Sequence, residues 1–81
     1  MPPYPAPDYL AAWPEARLVR AKTAYGGGLR RRWKDRVFIY EWDYRYGTVE
    51  RYDLRGRPRG EFDADTGRQV GEPIASRRIA P

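Results

Sequence analysis

The chain has 81 residues, 16 of them basic and 11 acidic for a net charge of +5, and it contains neither cysteine nor histidine. A domain of this size buries only about 60% of its unfolded surface, so no second domain fits, and disulfide frameworks and the usual zinc ligand sets are excluded. Fourteen of the sixteen basic residues are arginine, whose planar fork suits bidentate phosphate contacts and stacking on bases, so a polyanionic partner is expected; a genome rich in G and C would raise Arg, Ala, Gly and Pro in the same way.

Residues 1–7, Met1-Pro2-Pro3-Tyr4-Pro5-Ala6-Pro7, read as extended and polyproline-like, without the charged and apolar regions of a signal peptide. No apolar run approaches the roughly 20 residues needed to cross a bilayer, so a soluble chain without its own export signal is expected. Asp8 precedes Tyr9-Leu10-Ala11-Ala12-Trp13 as the N-cap of one or two helical turns closed by Pro14, with Tyr9, Leu10 and Trp13 as the apolar side. Glu15 to Tyr25 reads as a short helix or an irregular segment resting on the sheet. Gly26-Gly27-Gly28 is the strongest break in the chain.

After the glycines the hydrophobic period becomes two. Leu29 to Trp33 is a candidate first strand, and Arg36 to Asp43, β-branched and aromatic throughout, is the clearest one. Alternation puts Phe38, Tyr40, Trp42 and Tyr44 on one face, read as the core, and Val37, Ile39, Glu41 and Asp43 on the other. Thr48 to Asp53 returns as the second arm of a hairpin, and Leu54 to Pro58 is a basic turn. Arg59 to Asp63 is another short strand, Asp65-Thr66-Gly67 a turn, and Arg68 to Val70 the last strand. The tail from Pro73 to Pro81 reads as irregular. The expected architecture is α+β in a single domain: a helical or irregular part over residues 1–28, then a twisted four-stranded antiparallel meander over residues 29–81, with no internal repeat.

If the hairpin turn centres on Tyr46-Gly47, Arg45 faces Thr48 and Asp43 stands opposite Glu50. Facing side chains lie roughly 4.5–5.5 Å apart at Cβ, where like charges repel. A second carboxylate raises the pKa of the first and moves a Glu towards the range of a general base near neutrality. Ribonucleolytic cleavage by a ribose 2′-OH needs such a base, an acid for the leaving 5′-oxygen and a cation for the phosphate, with no metal required. Asp43 and Glu50 suit the first need. Arg45, Arg51, Arg55, Arg57, Arg77 and Arg78 are candidate phosphate clamps, Arg30-Arg31-Arg32 a candidate phosphate track, and Trp33, Tyr44, Tyr46 and Tyr52 candidate stacking rings. The plainer alternatives are solvated hairpin carboxylates neutralised by Arg45 and Arg51, aromatic rings that are simply core, and a solvated strand end for the arginine run.

The segment Ile39-Tyr40-Glu41-Trp42-Asp43, followed by Gly47, Glu50, Tyr52, Gly60, Phe62-Asp63, Thr66-Gly67, Gln69, Pro73, Arg77 and Ile79, resembles the cytotoxic ribonuclease domain of cloacin and the ribosome-cleaving E-type colicins. Upstream, Tyr4-Pro5-Ala6-Pro7, the triple glycine and Arg30-Arg31-Arg32-Trp33 match as well, so the resemblance covers nearly the whole chain. It implies a short helical N-terminal part, a strongly twisted antiparallel sheet and an enzyme that makes one cut in the decoding-site region of 16S ribosomal RNA. The catalytic group then falls on Asp43, Tyr46, Glu50 and Arg77, with Glu50 as general base, Arg77 stabilising the phosphate and Asp43 supporting its neighbours. The family usually has His where this chain has Tyr46. A tyrosine of ordinary pKa, near 10, stays protonated at neutral pH and can donate to the leaving oxygen; the alternative is an attenuated relative that keeps its affinity for RNA, the ribosome or an inhibitor. The resemblance further implies an acidic immunity or antitoxin protein as partner, which a net +5 surface suits, and action in the bacterial cytoplasm. No cofactor is expected, and the unbound chain is expected to be a monomer. A docking module without a nucleic-acid role is the third class.

Overall fold

Strands build outwards from a central hairpin in the computed structural model, which describes residues 4–81; the part of the proline-rich reading that falls on residues 1–3 lies outside the described residues. In chain order the strands are β1 (Arg17–Val19), β2 (Ala24–Tyr25), β3 (Gly28–Leu29), β4 (Arg32–Lys34), β5 (Phe38–Asp43), β6 (Thr48–Asp53), β7 (Pro58–Phe62) and β8 (Gln69–Gly71). Six form one antiparallel sheet in the order β1-β4-β5-β6-β7-β8, and β2 pairs with β3 as a separate arm. Gly26-Gly27 is the two-residue turn of that arm, so the triple glycine is a hairpin turn and not merely a break. Among the described residues no helix is long and apolar enough to cross a membrane.

The described residues contain no helix at all, and the α+β expectation is corrected to all-β. Over the segment read as helical, the backbone donors go to turn and tertiary partners. The N–H of Ala12 donates to the carbonyl of Ala64 (3.0 Å), while those of Trp13 and Ala16 close four-residue turns on Leu10 (3.1 Å) and Trp13 (3.0 Å). Leu10 is fully buried, and the Trp13 ring packs on Tyr40 and edge-on against Phe62. The segment is thus two tight turns that pin apolar side chains, too short before Pro14 to repay helix nucleation. Asp8, read as an N-cap, instead accepts the Trp33 indole N–H on its carbonyl (3.2 Å) and Arg31 on its carboxylate (3.2 Å). The stretch after Pro14 supplies β1, an edge strand in which Leu18 faces Trp33, and this recruitment helps bring the sheet to six strands where four were expected.

The aromatic row of β5 does face the core: Tyr40 and Trp42 are buried together with Leu10, Ala16, Trp33 and Val49. The opposite face is buried as well, since Ile39, Glu41, Asp43 and Glu50 lie at 6% exposure or less. A polar sheet face is covered in this way only where its charges find partners.

Arg51, a candidate phosphate clamp, belongs to the aromatic face. Its guanidinium carbon lies 4.0 Å from the Phe38 ring centroid, 3.9 Å from that of Phe62 and 5.9 Å from that of Trp13. Burial pushes the guanidinium pKa down, against the nearby Tyr40 and Asp35. Arg51, expected as a phosphate clamp, thus packs among aromatic rings at intermediate exposure. Arg51→Ala is expected to lower unfolding free energy by about 2 kcal/mol or more, the scale of a desolvated cation–π contact with its packing, while leaving RNA affinity unchanged; urea titration and filter binding read the two effects separately.

One short side chain shapes most of the turns. Asp35 Oδ1 accepts the N–H groups of Val37 and Phe38, Asp43 Oδ1 those of Arg45 and Tyr46, Asp53 Oδ1 those of Arg55 and Arg57, and Asp63 Oδ1 those of Asp65 and Thr66, all between 2.8 and 3.2 Å. This is the turn chemistry of aspartate, whose carboxylate mimics a backbone acceptor. Such N–H donors hold the Asp53 and Asp63 carboxyls below their usual range.

Candidate active site

The two arms of the central hairpin pair with Asp43 opposite Thr48 and Glu41 opposite Glu50. The expected pairing of Asp43 with Glu50 is off by two residues, because the turn is four residues long, Tyr44 to Gly47. Asp43 closes it from both sides: its carboxylate takes the N–H groups of Arg45 and Tyr46, and its carbonyl takes that of Gly47 at 2.8 Å. Gly47 sits at φ 69°, where a side chain would be strained. A shift of two residues preserves the faces, as a shift of one would not, so Glu41, Asp43 and Glu50 still share one face. On the far side, Glu50 faces Glu61 of β7, and three glutamates stand in register across three adjacent strands.

Each of the three is held differently. Glu41, with no exposed surface, takes Arg32 on Oε2 (2.8 Å to Nη2, 2.9 Å to Nε) together with the Thr23 hydroxyl (2.7 Å), while its Oε1 is buried without a partner. Glu61 accepts the Thr48 hydroxyl. Glu50 is gripped by Arg77 on Oε1 and accepts the Tyr52 hydroxyl on Oε2 at 3.0 Å. Burial, reinforced by the Glu50 and Glu41 carboxylates, pushes the Tyr52 phenol well above its usual range, so this hydroxyl is a fixed donor. The Glu50 carboxylate raises the pKa of Arg77, a permanent cation in any case. Among the described residues no group of three or more acidic side chains converges so as to hold a metal ion.

Arg77 reaches Glu50 across 27 positions because the tail docks on the β6–β7 turn. The Ile79 N–H donates to the carbonyl of Gly56 (3.0 Å), and a Cβ at Gly56 would collide with the Ile79 carbonyl. Gly56 is both a left-handed turn residue, φ 84°, and the seat of the tail. Glu50, Tyr52 and Arg77 form the floor of an open cleft of about 260 Å³, with Thr23, Arg30 and Arg78 on its walls. A larger concavity, about 630 Å³ against Trp13, Pro14, Asp35 and Val37, contains none of these groups.

The candidate residues are thus sorted by position. Glu50, Arg77, Arg30 and Arg78 come together in the cleft. Asp43 is buried beneath the turn and builds it, and the Tyr46 ring on that turn is 60% exposed, with the Arg45 guanidinium 5.9 Å from its centroid. Arg31 is tied to Asp8 and the Pro7 carbonyl, Arg57 is tied to Asp53, and Arg55 lies exposed in the same turn. Three members of the expected phosphate track and stacking set are corrected: Arg32 is buried in the Glu41 pair, Trp33 is fully buried in the core, and Tyr52 is 2% exposed, so neither ring has a face free for a base. Glu41, Thr23 and Tyr52 complete the polar floor; the sequence signal for Glu41 was its place on the same strand face as Asp43.

Comparison with known proteins agrees with the motif content of this hairpin. A family model described as Cytotoxic matches residues 4–80. The chain belongs to the Cytotoxic family. Over 58 residues it is 47% identical to cloacin and 45% identical to colicin E3, both of Escherichia coli. Each match covers 67% of this chain and 10% of the relative, so the chain spans about a tenth of the length of these much longer proteins. The resemblance drawn from Tyr-Glu-Trp-Asp and the residues after it is therefore borne out at the level of the Cytotoxic family.

Proposed function

We propose that the chain is the nuclease module of a bacterial toxin, an endoribonuclease that cuts 16S ribosomal RNA at the decoding site and so stops translation. The observation that carries this reading is Glu50, a buried carboxylate set between a guanidinium and a phenol on the floor of an open, arginine-walled cleft. In the reaction Glu50 removes the proton of a ribose 2′-OH. The alkoxide oxygen then forms a bond to the adjacent phosphorus as the bond to the 5′-oxygen breaks, and Tyr46 donates its phenolic proton to that leaving oxygen. The products are a 2′,3′-cyclic phosphate and a free 5′-hydroxyl, and both side chains reset by proton exchange with water. Arg77 has donors enough to hold Glu50 and a phosphate oxygen at once, and its charge lies where the pentacoordinate intermediate becomes more negative. Asp43 acts through the turn that it closes. This chemistry requires no metal.

The +5 surface suits an acidic immunity or antitoxin protein as partner, and the site of action is the cytoplasm of the target cell, where the chain works as a monomer. Purified chain incubated with ribosomes in excess EDTA should release one 3′ fragment of 16S RNA with a cyclic-phosphate end on the upstream piece; cleavage that EDTA abolishes would contradict the mechanism. Exposure of the Tyr46 ring favours a second reading, an attenuated relative that binds ribosomes without cutting. Tyr46→Phe separates the two. As the general acid its hydroxyl is worth on the order of 10²-fold or more in rate, with ribosome affinity unchanged, whereas an attenuated relative shows no cutting in either form.

A further inference from the structure

The turn that carries Tyr46 is closed internally by Asp43 and is also contacted by two tyrosines from distant parts of the chain. The first is Tyr4. A Cβ built on Gly47 would lie 2.7 Å from Tyr4 Cδ1, 2.8 Å from Cγ and 3.2 Å from Cβ, so the Tyr4 ring presses directly on the turn backbone. The segment bearing Tyr4 is tied down at three points: the Trp42 indole donates to the Tyr4 carbonyl (2.9 Å), Arg31 to the Pro7 carbonyl (3.1 Å) and the Trp33 indole to the Asp8 carbonyl (3.2 Å). It is a strap across the end of the hairpin.

The second is Tyr25, on the β2–β3 arm. Its ring stacks on Tyr44, the first turn residue, with centroids 4.5 Å apart and planes 6° from parallel. The base of that arm is anchored to the site floor, since the Thr23 hydroxyl donates to Glu41 and the Thr23 carbonyl accepts the Arg30 N–H at 2.8 Å. Strap and arm thus hold the turn at its last residue and at its first.

We propose that Tyr4 and Tyr25 are positioning residues, a two-sided clamp that holds the Tyr44–Gly47 turn, and with it Tyr46, in register with Glu50 and Arg77. The proposal rests on the nuclease reading above. A misplacement of about 1 Å in a reacting group costs on the order of 100-fold in rate, and the two tyrosine contacts add an outer support to the internal closure by Asp43. The Gly47 contact is made by ring and Cβ carbons and the Tyr44 contact by a ring face, so phenylalanine should serve at both positions and alanine at neither.

The test uses the full chain with Tyr4→Ala, Tyr25→Ala and the two Phe counterparts, read by single-turnover cleavage of ribosomes and by hydrogen exchange at the Arg45, Tyr46 and Gly47 amides. The alanine variants are expected to lose on the order of 10- to 100-fold in the maximal rate at unchanged half-saturating concentration, with faster exchange at the three amides, and the phenylalanine variants to recover both. Unchanged amide exchange overturns the clamp, and so does a loss confined to half-saturation, which would make the rings RNA contacts. If the unsubstituted chain cleaves no RNA, the nuclease reading fails by itself; amide exchange then decides the clamp, faster exchange in the alanine variants upholding it and unchanged exchange rejecting it.

Discussion

Glu50→Gln is expected to lower the rate of RNA cleavage by about 10²- to 10⁴-fold, the range that a positioned general base contributes. The amide has the shape of the carboxylate: its Oε1 can still accept from Arg77, whose side chain is half exposed, and its Nε2 can donate to the Tyr52 hydroxyl oxygen, so the fold should be nearly unaffected. The loss should therefore appear in the single-turnover rate while ribosome affinity and thermal midpoint stay close to those of the parent. A variant that cuts at the parental rate would remove Glu50 from the chemistry and leave the cleft as a binding surface.

Glu41→Ala carries the largest expected effect on stability. It leaves the Arg32 guanidinium, 3% exposed, without its counter-charge, and an orphaned buried ion of this kind costs about 3–5 kcal/mol. For a small domain whose total stability is roughly 5–15 kcal/mol, that shift brings the fold close to its limit. Replacing both partners with apolar residues, as in Glu41→Leu with Arg32→Met, should recover most of the loss, because an ion pair buried this deeply gains little over a well-packed apolar substitute. Urea midpoints of the three proteins decide the matter: equal midpoints for Glu41→Ala and the parent would show that the pair is solvated in solution.

Much of this architecture was legible from the residues. The strand Thr48–Asp53 has the bounds that its pattern predicts, the Tyr40 and Trp42 side chains face the core, and the carboxylates lie together on the opposite face. Register was not legible, because it depends on how many residues the turn holds, and that number is set by the Asp43 side chain. The same use of aspartate at Asp35, Asp53 and Asp63 was present in the sequence as a turn signal. The helix expected after Asp8 failed because burial of Leu10 and packing of Trp13 against the core outweighed a weak local preference. Long-range docking accounts for the remainder: Arg77 reaches Glu50 only because the tail seats on Gly56, Glu41 is neutralised only because β4 lies beside β5, and Arg51 leaves the basic surface only because Phe62 of β7 closes over it.

The central claim is that Glu50 and Arg77 form a working ribonuclease centre. Primer extension across 16S RNA from ribosomes exposed to the purified chain tests it most directly, with the Glu50→Gln protein alongside. The account predicts a single strong stop near the 3′ end with the parent and none with the variant. Intact 16S RNA on ribosomes that demonstrably bind the parent chain, or the same stop with both proteins, would contradict it.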